Sequence, residues 1–206
     1  MATTSTAPTA GKNQDGSRAK GLPLPFKILF GMYAAMMPFL VPAFAGVDVP
    51  MWLGLEWHRA LHVLGAVMMV GNVFITAAWM AAAMQTKSPA LLRFGGRIVP
   101  WMDVFFTGPG FFLLAVNGVS MATAWGGMYR WSWLVVSLVL LGLTGVTAVA
   151  LIPVQIKIYR ICEVQSDEPL PPELDQLLKR WNNWGSPAAL IPLVIMFLML
   201  VKPRFW

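Results

Sequence analysis

The sequence predicts an all-α membrane protein, with a four-helix transmembrane bundle preceded by one N-terminal apolar helix. Of its 206 residues, 57% are apolar and only 12% are charged, against about 25% charged in a soluble domain. Several apolar runs also reach the roughly 20 residues that cross a bilayer. Every backbone group inside lipid must be paired within its own segment, so we expect these runs to be helices.

The N-terminal 45 residues divide into a tail and one apolar run. Residues 1–22 have little to bury, which predicts a disordered tail. Residues 23–45 predict an anchor helix kinked at Pro38 and Pro42. A long signal segment is the alternative, because Ala43-Phe44-Ala45 resembles a cleavage site. The anchor is favoured, since prolines so late in the run suit a kinked span.

Residues 46–206 form the predicted four-helix domain. The organising span covers residues 57–83, and three more are expected at 98–124, 133–156 and 187–201. A polar loop should join the first two, and a short surface helix at 172–180 should precede the last.

The positive charges predict the orientation of these spans. The formal net charge is +6, and most Lys and Arg residues fall on one side if the N-terminus is cytoplasmic. This pattern indicates a multi-pass protein with the lipid bilayer as its first partner, and we expect its location to be the bacterial inner (plasma) membrane. Because topology accounts for the basic residues, no nucleic-acid partner is predicted.

Three spans carry polar or small residues on one helical face, at steps of four and three. In the span 57–83 they are His58, His62, Gly65, Met69, Asn72, Thr76, Trp79 and Ala83. In the span 98–124 they are Asp103, Thr107, Gly110, Leu114, Asn117 and Met121. In the span 133–156 they are Ser137, Leu141, Thr144, Ala148, Leu151 and Gln155. Such faces pack closely in membranes, so we expect the three to meet.

Asn72, Asp103 and Gln155 are candidate intramembrane polar residues. Asp103 is expected near the inner boundary, level with Trp79 and Gln155 and paired with Arg97 or another cation of the inner loop. An ionisable residue within a span is costly, which leaves a proton or ion role open. Pro109 between two glycines predicts a hinge or a kink.

His58 and His62 stand four apart, the spacing at which two imidazoles hold one metal ion from one helix. Copper could also recruit the thioethers of Met68, Met69 or Met121. Alternatively His62 ligates a haem b, with Met121 or nothing on the opposite face. The second nitrogen of His62 would then need a partner, either Asn117 or Ser137. His58 is expected at the wet boundary.

Five segments together resemble a bacterial family of predicted membrane proteins, domain of unknown function 2269. They are LHVLGAV with Gly71-Asn72, PALLR, DVFFTGPGFFLL, IPVQIK and RWNNWG. The family is distantly similar to a superfamily with haem-binding protoporphyrinogen oxidases and copper-resistance permeases. The resemblance implies four-helix membrane bundles and places His62 where the oxidases have a haem ligand.

Three functional hypotheses follow from these observations. The first is a b-type haem protein with a redox role and a redox partner. The second is a copper-handling or other metal-handling membrane protein. The third is a non-catalytic structural or assembly subunit of a membrane complex. The sequence names no substrate and leaves open whether any reaction is catalysed.

Overall fold

The computed structural model describes residues 21–164 and 169–206, which form six α-helices and one π-helical turn. The predicted tail therefore lies almost wholly outside the described residues. The helices are α1 (Leu24–Phe44), α2 (Leu55–Thr86), α3 (Pro89–Met102), α4 (Gly108–Ala124), α5 (Ser132–Glu163) and α6 (Pro172–Val201). The π-helical turn, Asp103–Thr107, joins α3 to α4, so that Pro89–Ala124 is one continuous helix of 36 residues.

Five helices in the described part of the chain are long and apolar enough to cross a membrane. They are α1, α2, the continuous helix Pro89–Ala124, α5 and α6. The predicted all-helical, multi-pass architecture is confirmed. Contact with the lipid bilayer follows from the same helices.

The predicted loop between the first two spans of the four-helix domain is mostly helix instead. α2 ends at Thr86 and α3 begins at Pro89, so only a two-residue turn separates them. Lys87 closes α2 in a left-handed conformation, with φ of 53°, and Pro89 opens α3 with a φ already suited to a helix. The expected loop around Arg93 and Arg97 was wrong because charged residues end an apolar run without ending a helix.

The predicted surface helix and last span are likewise one helix, α6, of 30 residues. It contains Pro187 and Pro192 without a break, as membrane helices often do. At 1.5 Å per residue α6 is about 45 Å long, more than the roughly 30 Å hydrocarbon core. One end therefore extends beyond the membrane.

The helices pack as two groups. α2 and α1 lie against α4, while α5 lies against α6 and α3. The predicted meeting of three polar faces is only partly right, because α5 packs mainly against α3 and α6 while α2 packs mainly against α4. Ser137 donates to the carbonyl of Trp133, and Thr144 donates to the carbonyl of Leu140. These hydroxyls are satisfied within their own helix and need no partner helix.

Candidate functional site: the seam between α2 and α4

The polar faces of α2 and α4 meet along an antiparallel seam. Polar side chains occur at both ends of the seam, and two glycines touch between them. The seam pairs are His58 with Asn117, His62 with Leu114, Gly65 with Gly110, and Asn72 with Thr107. The prediction that these two faces meet is confirmed.

The two backbones come closest at Gly65 and Gly110. A Cβ atom built on Gly65 would lie 2.5 Å from the carbonyl oxygen of Gly110. One built on Gly110 would lie 2.8 Å from the carbonyl oxygen of Gly65. No side chain fits at either position, so the glycines fix the register of the two helices.

His58 is fully buried at one end of the seam, with 0% exposure. Its Nε2 accepts from the backbone N–H of Leu53 at 3.3 Å. An N–H can only donate, so Nε2 carries no proton and the neutral ring is protonated at Nδ1. That Nδ1–H donates to Oδ1 of Asn117 at 2.7 Å. Trp52 packs its ring against the imidazole, with centroids 5.2 Å apart.

The predicted wet-boundary position of His58 is therefore wrong. The segment between α1 and α2 folds back over the histidine, and it is held there by a second hydrogen bond, from Thr123 Oγ1 to the carbonyl of Val49 at 2.9 Å. Sequence reasoning missed Trp52 and Leu53. Leu53 contributes its backbone N–H, which every residue except proline has, so the residue type does not predict this contact.

The predicted metal site formed by His58 and His62 does not fit this arrangement. Both ring nitrogens of His58 are engaged, so His58 has no lone pair for a metal unless the Leu53 bond is broken. Among the described residues, no group of three or more His, Cys, Asp or Glu side chains could hold a metal ion. The copper hypothesis therefore loses one of its two imidazoles.

His62 is half-buried one turn further along α2. Its Nδ1–H donates to the carbonyl of Leu114 at 2.7 Å, and its ring lies against Gly118, where a Cβ would meet Cε1 at 3.0 Å. The expected partners of this nitrogen were wrong: Asn117 bonds His58, and Ser137 bonds its own helix.

The other nitrogen of His62, Nε2, forms no hydrogen bond within the described residues. It is also not sealed in, since every fully buried polar side-chain atom described has a partner. Met121, the predicted second haem ligand, is buried at 5% exposure.

Asp103 lies at the other end of the seam, with Asn72 and Thr107. Its Oδ1 accepts from Asn72 Nδ2 at 3.0 Å and from Thr107 Oγ1 at 2.9 Å. Asn72 Nδ2 also donates to Thr107 Oγ1 at 2.9 Å. The predicted pairing of Asp103 with Arg97 is therefore wrong.

The predicted depth of Asp103 is also wrong. α3 supplies 14 helical residues before it, because the helix begins at Pro89 and not near residue 98. Asp103 is thus level with Asn72, near the middle of α2, and not level with Trp79.

The predicted hinge or kink at Pro109 is a π-helical turn. Gly108 N–H donates to the carbonyl of Asp103, five residues back. Pro109 has no N–H to donate, and a π-helical turn lets the helix continue past it. Such turns are common at functional sites.

Gln155 lies away from the seam. It lines a cavity of about 20 Å³ formed by α2, α3, α5 and α6, which is room for about one water molecule. The other lining residues are Met80, Gly96, Val99, Pro100, Ile158, Leu178 and Trp181.

The comparisons with known proteins agree with this architecture. No curated protein and no solved structure is similar enough to match the chain. Residues 57–203 match the model of the family described as "Predicted integral membrane protein (DUF2269)". These residues include both ends of the seam and most of the chain, and the protein therefore belongs to this family of predicted integral membrane proteins.

Proposed function

We propose that the protein binds one haem b through His62 and has a redox role in the membrane. The observation that carries this proposal is the hydrogen bond from His62 Nδ1–H to the Leu114 carbonyl. It fixes the ring tautomer and leaves the lone pair of Nε2 without a hydrogen-bond partner among the residues that the structure describes. A backbone carbonyl on one ring nitrogen commonly orients a histidine whose other nitrogen binds a metal.

His62 would be the residue that holds the haem, and its surroundings are consistent with that role. Gly118 has no side chain to occupy the space beside the ring. His58 cannot compete for the iron, because both of its nitrogens are engaged. Bound haem would supply reversible one-electron chemistry, while the chain orients the imidazole and keeps it neutral. The electron partner would be another component of the same membrane.

The four spans from α2 onward form the proposed functional bundle, with α1 as an added helix. The family match covers residues 57–203 and so begins after α1. We further propose the bacterial inner membrane as location and a cytoplasmic N-terminus, because most Lys and Arg residues then lie inside.

The orientation predicts which loops an impermeant reagent can reach. In a Cys162→Ser background, a cysteine at Lys87 should resist an impermeant maleimide added to intact cells, and the matched cysteine at Arg130 should react. Membrane disruption should expose both. Labelling at residue 87 with protection at residue 130 would reverse the assignment.

The haem proposal predicts a spectrum. Protein purified from haem-replete cells should show the Soret and α bands of a b-type haem, and His62→Ala should abolish them because the iron loses its protein ligand. Gly118→Ala should shift the bands, since a methyl group there pushes against the ring. His58→Phe is the matched control and should retain the chromophore.

The alternatives give different results. A colourless wild-type protein that carries copper would contradict the haem proposal and favour metal handling through His62 and methionines. A colourless protein without metal would favour a structural or assembly subunit. A chromophore that survives His62→Ala in folded protein would show that the ligand is elsewhere.

A further inference from the structure

We propose that Asp103 is a proton-binding site in the middle of the membrane-spanning region, in exchange with water from the α2–α3 side. Nothing in the haem proposal requires this site, and it stands whether or not His62 binds haem. It rests on the hydrogen bonds around Asp103, on the lack of a countercharge among the described residues, and on a small cavity nearby that Gln155 lines.

The hydrogen bonds leave one carboxyl oxygen available. Both donors, Asn72 Nδ2 and Thr107 Oγ1, converge on Oδ1. Oδ2 has no hydrogen-bond partner within the described residues, and it is not sealed from its surroundings, because no fully buried polar side-chain atom described lacks a partner. A proton can therefore add to Oδ2 without breaking a protein hydrogen bond.

The same bonds favour a proton over a metal cation. Asn72 presents N–H groups, which repel a cation, to both Asp103 and Thr107. A cation needs several oxygen ligands, so it could bind only if the amide turned over and the Thr107 hydroxyl gave up its bond to Oδ1. Protonation requires neither change.

No described cation lies within ion-pairing distance of Asp103. Tyr33 of α1 is a titratable side chain that interacts electrostatically with Asp103. The titratable residues of α2 lie at Glu56, His58, Arg59 and His62, at least ten residues from Asn72, and α4 has none. On its own helix, Arg97 interacts with Tyr159 of α5. An unpaired carboxylate in hydrocarbon is costly, and reversible protonation is one way to relieve that cost.

The route to water differs between the two directions along the seam. Towards His62, the backbones touch at Gly65 and Gly110, and no space remains between the helices. Towards the α2–α3 turn, Pro100 lines the cavity that also holds Gln155. Pro100 precedes Asp103 by three residues, which is about 4.5 Å along the helix. This cavity has room for about one water molecule beside Gln155, whereas the Gly65–Gly110 contact closes the other direction, so we place proton access on the α2–α3 side.

A hydrophobic carbodiimide tests the site, since it reacts with the protonated form of a carboxylic acid. The acid proton moves to a carbodiimide nitrogen, the carboxyl oxygen bonds to the central carbon, and the adduct rearranges to a stable N-acylurea. Purified protein in detergent is treated with dicyclohexylcarbodiimide across a pH series, and the adduct at Asp103 is quantified by peptide mass spectrometry. We expect labelling that is lost as pH rises, and no label in Asp103→Asn.

Two matched threonine variants keep the test decisive if Asp103→Asn fails to fold. Thr107→Val removes a donor to Oδ1 and should shift the pH at which half the label is lost. Thr144→Val removes a hydroxyl that bonds only its own helix, and it should leave that pH unchanged.

Three outcomes would overturn the proposal. Folded wild-type protein could take no label at Asp103 at any pH. The label could be independent of pH, which would mean a permanently neutral acid. Sodium ions could protect Asp103 where potassium ions do not, which would make the site a cation site.

Discussion

Gly65→Ala should destabilise the protein by about 3 kcal/mol, the upper part of the usual range for overpacking. The added methyl group would lie 2.5 Å from both the carbonyl oxygen of Gly110 and the amide nitrogen of Leu114. Both are backbone atoms of α4, which cannot move aside as a flexible side chain can. The helices must separate, and the hydrogen bonds on either side of the glycine pair would lengthen.

Gly71→Ala is the matched control on the same helix. Nothing lies within 4 Å of the Cβ it would add, so only the helix propensity changes, by up to about 1 kcal/mol in the stabilising direction. Unfolding of both variants in detergent, followed by circular dichroism, gives the comparison. Equal stability of the two variants would mean that α2 and α4 do not touch at Gly65.

Asn117→Leu should destabilise the protein by about 1–3 kcal/mol, the cost of a buried polar group without a partner. Asn117 is 4% exposed and His58 is fully buried, so water cannot replace the lost acceptor for Nδ1–H. The amide nitrogen of Asn117 also donates to the carbonyl of Leu113 at 2.7 Å, but that carbonyl belongs to the same helix.

Ser137→Ala is the control for Asn117→Leu. Ser137 is just as buried, at 1% exposure, yet its hydroxyl donates only within α5. Losing a bond within one helix should cost less than breaking a contact between two helices. If denaturation in detergent shows the two losses to be equal, His58 is not held by Asn117.

The sequence predicts the seam because the spacing of residues along a helix determines which of them share a face. His58, His62, Gly65 and Asn72 fall on one face by their numbers alone, and Asp103, Thr107 and Gly110 do the same on the next span. Polar residues are costly when they face lipid, and small residues allow close helix packing, so both are expected at a contact between helices. The meeting of these two faces therefore follows from residue spacing and the cost of polar groups in lipid.

Three details depend on information that the spacing does not carry. The burial of His58 depends on the segment around Trp52, which folds over it by tertiary contacts. The depth of Asp103 depends on where α3 begins. Hydropathy predicts where an apolar run begins, whereas the helix itself begins earlier, at Pro89. The partner of His62 is a backbone carbonyl, that of Leu114, and any residue type could have supplied it.

Both proposed sites depend on the pairing of α2 with α4, and a double-mutant cycle on His58 and Asn117 tests that pairing most directly. Stabilities of wild type, His58→Phe, Asn117→Leu and the double variant are measured in the same detergent. A direct bond predicts that the double variant loses less stability than the two single losses added together, by about 1 kcal/mol or more. Losses that add to within about 0.5 kcal/mol would contradict the seam.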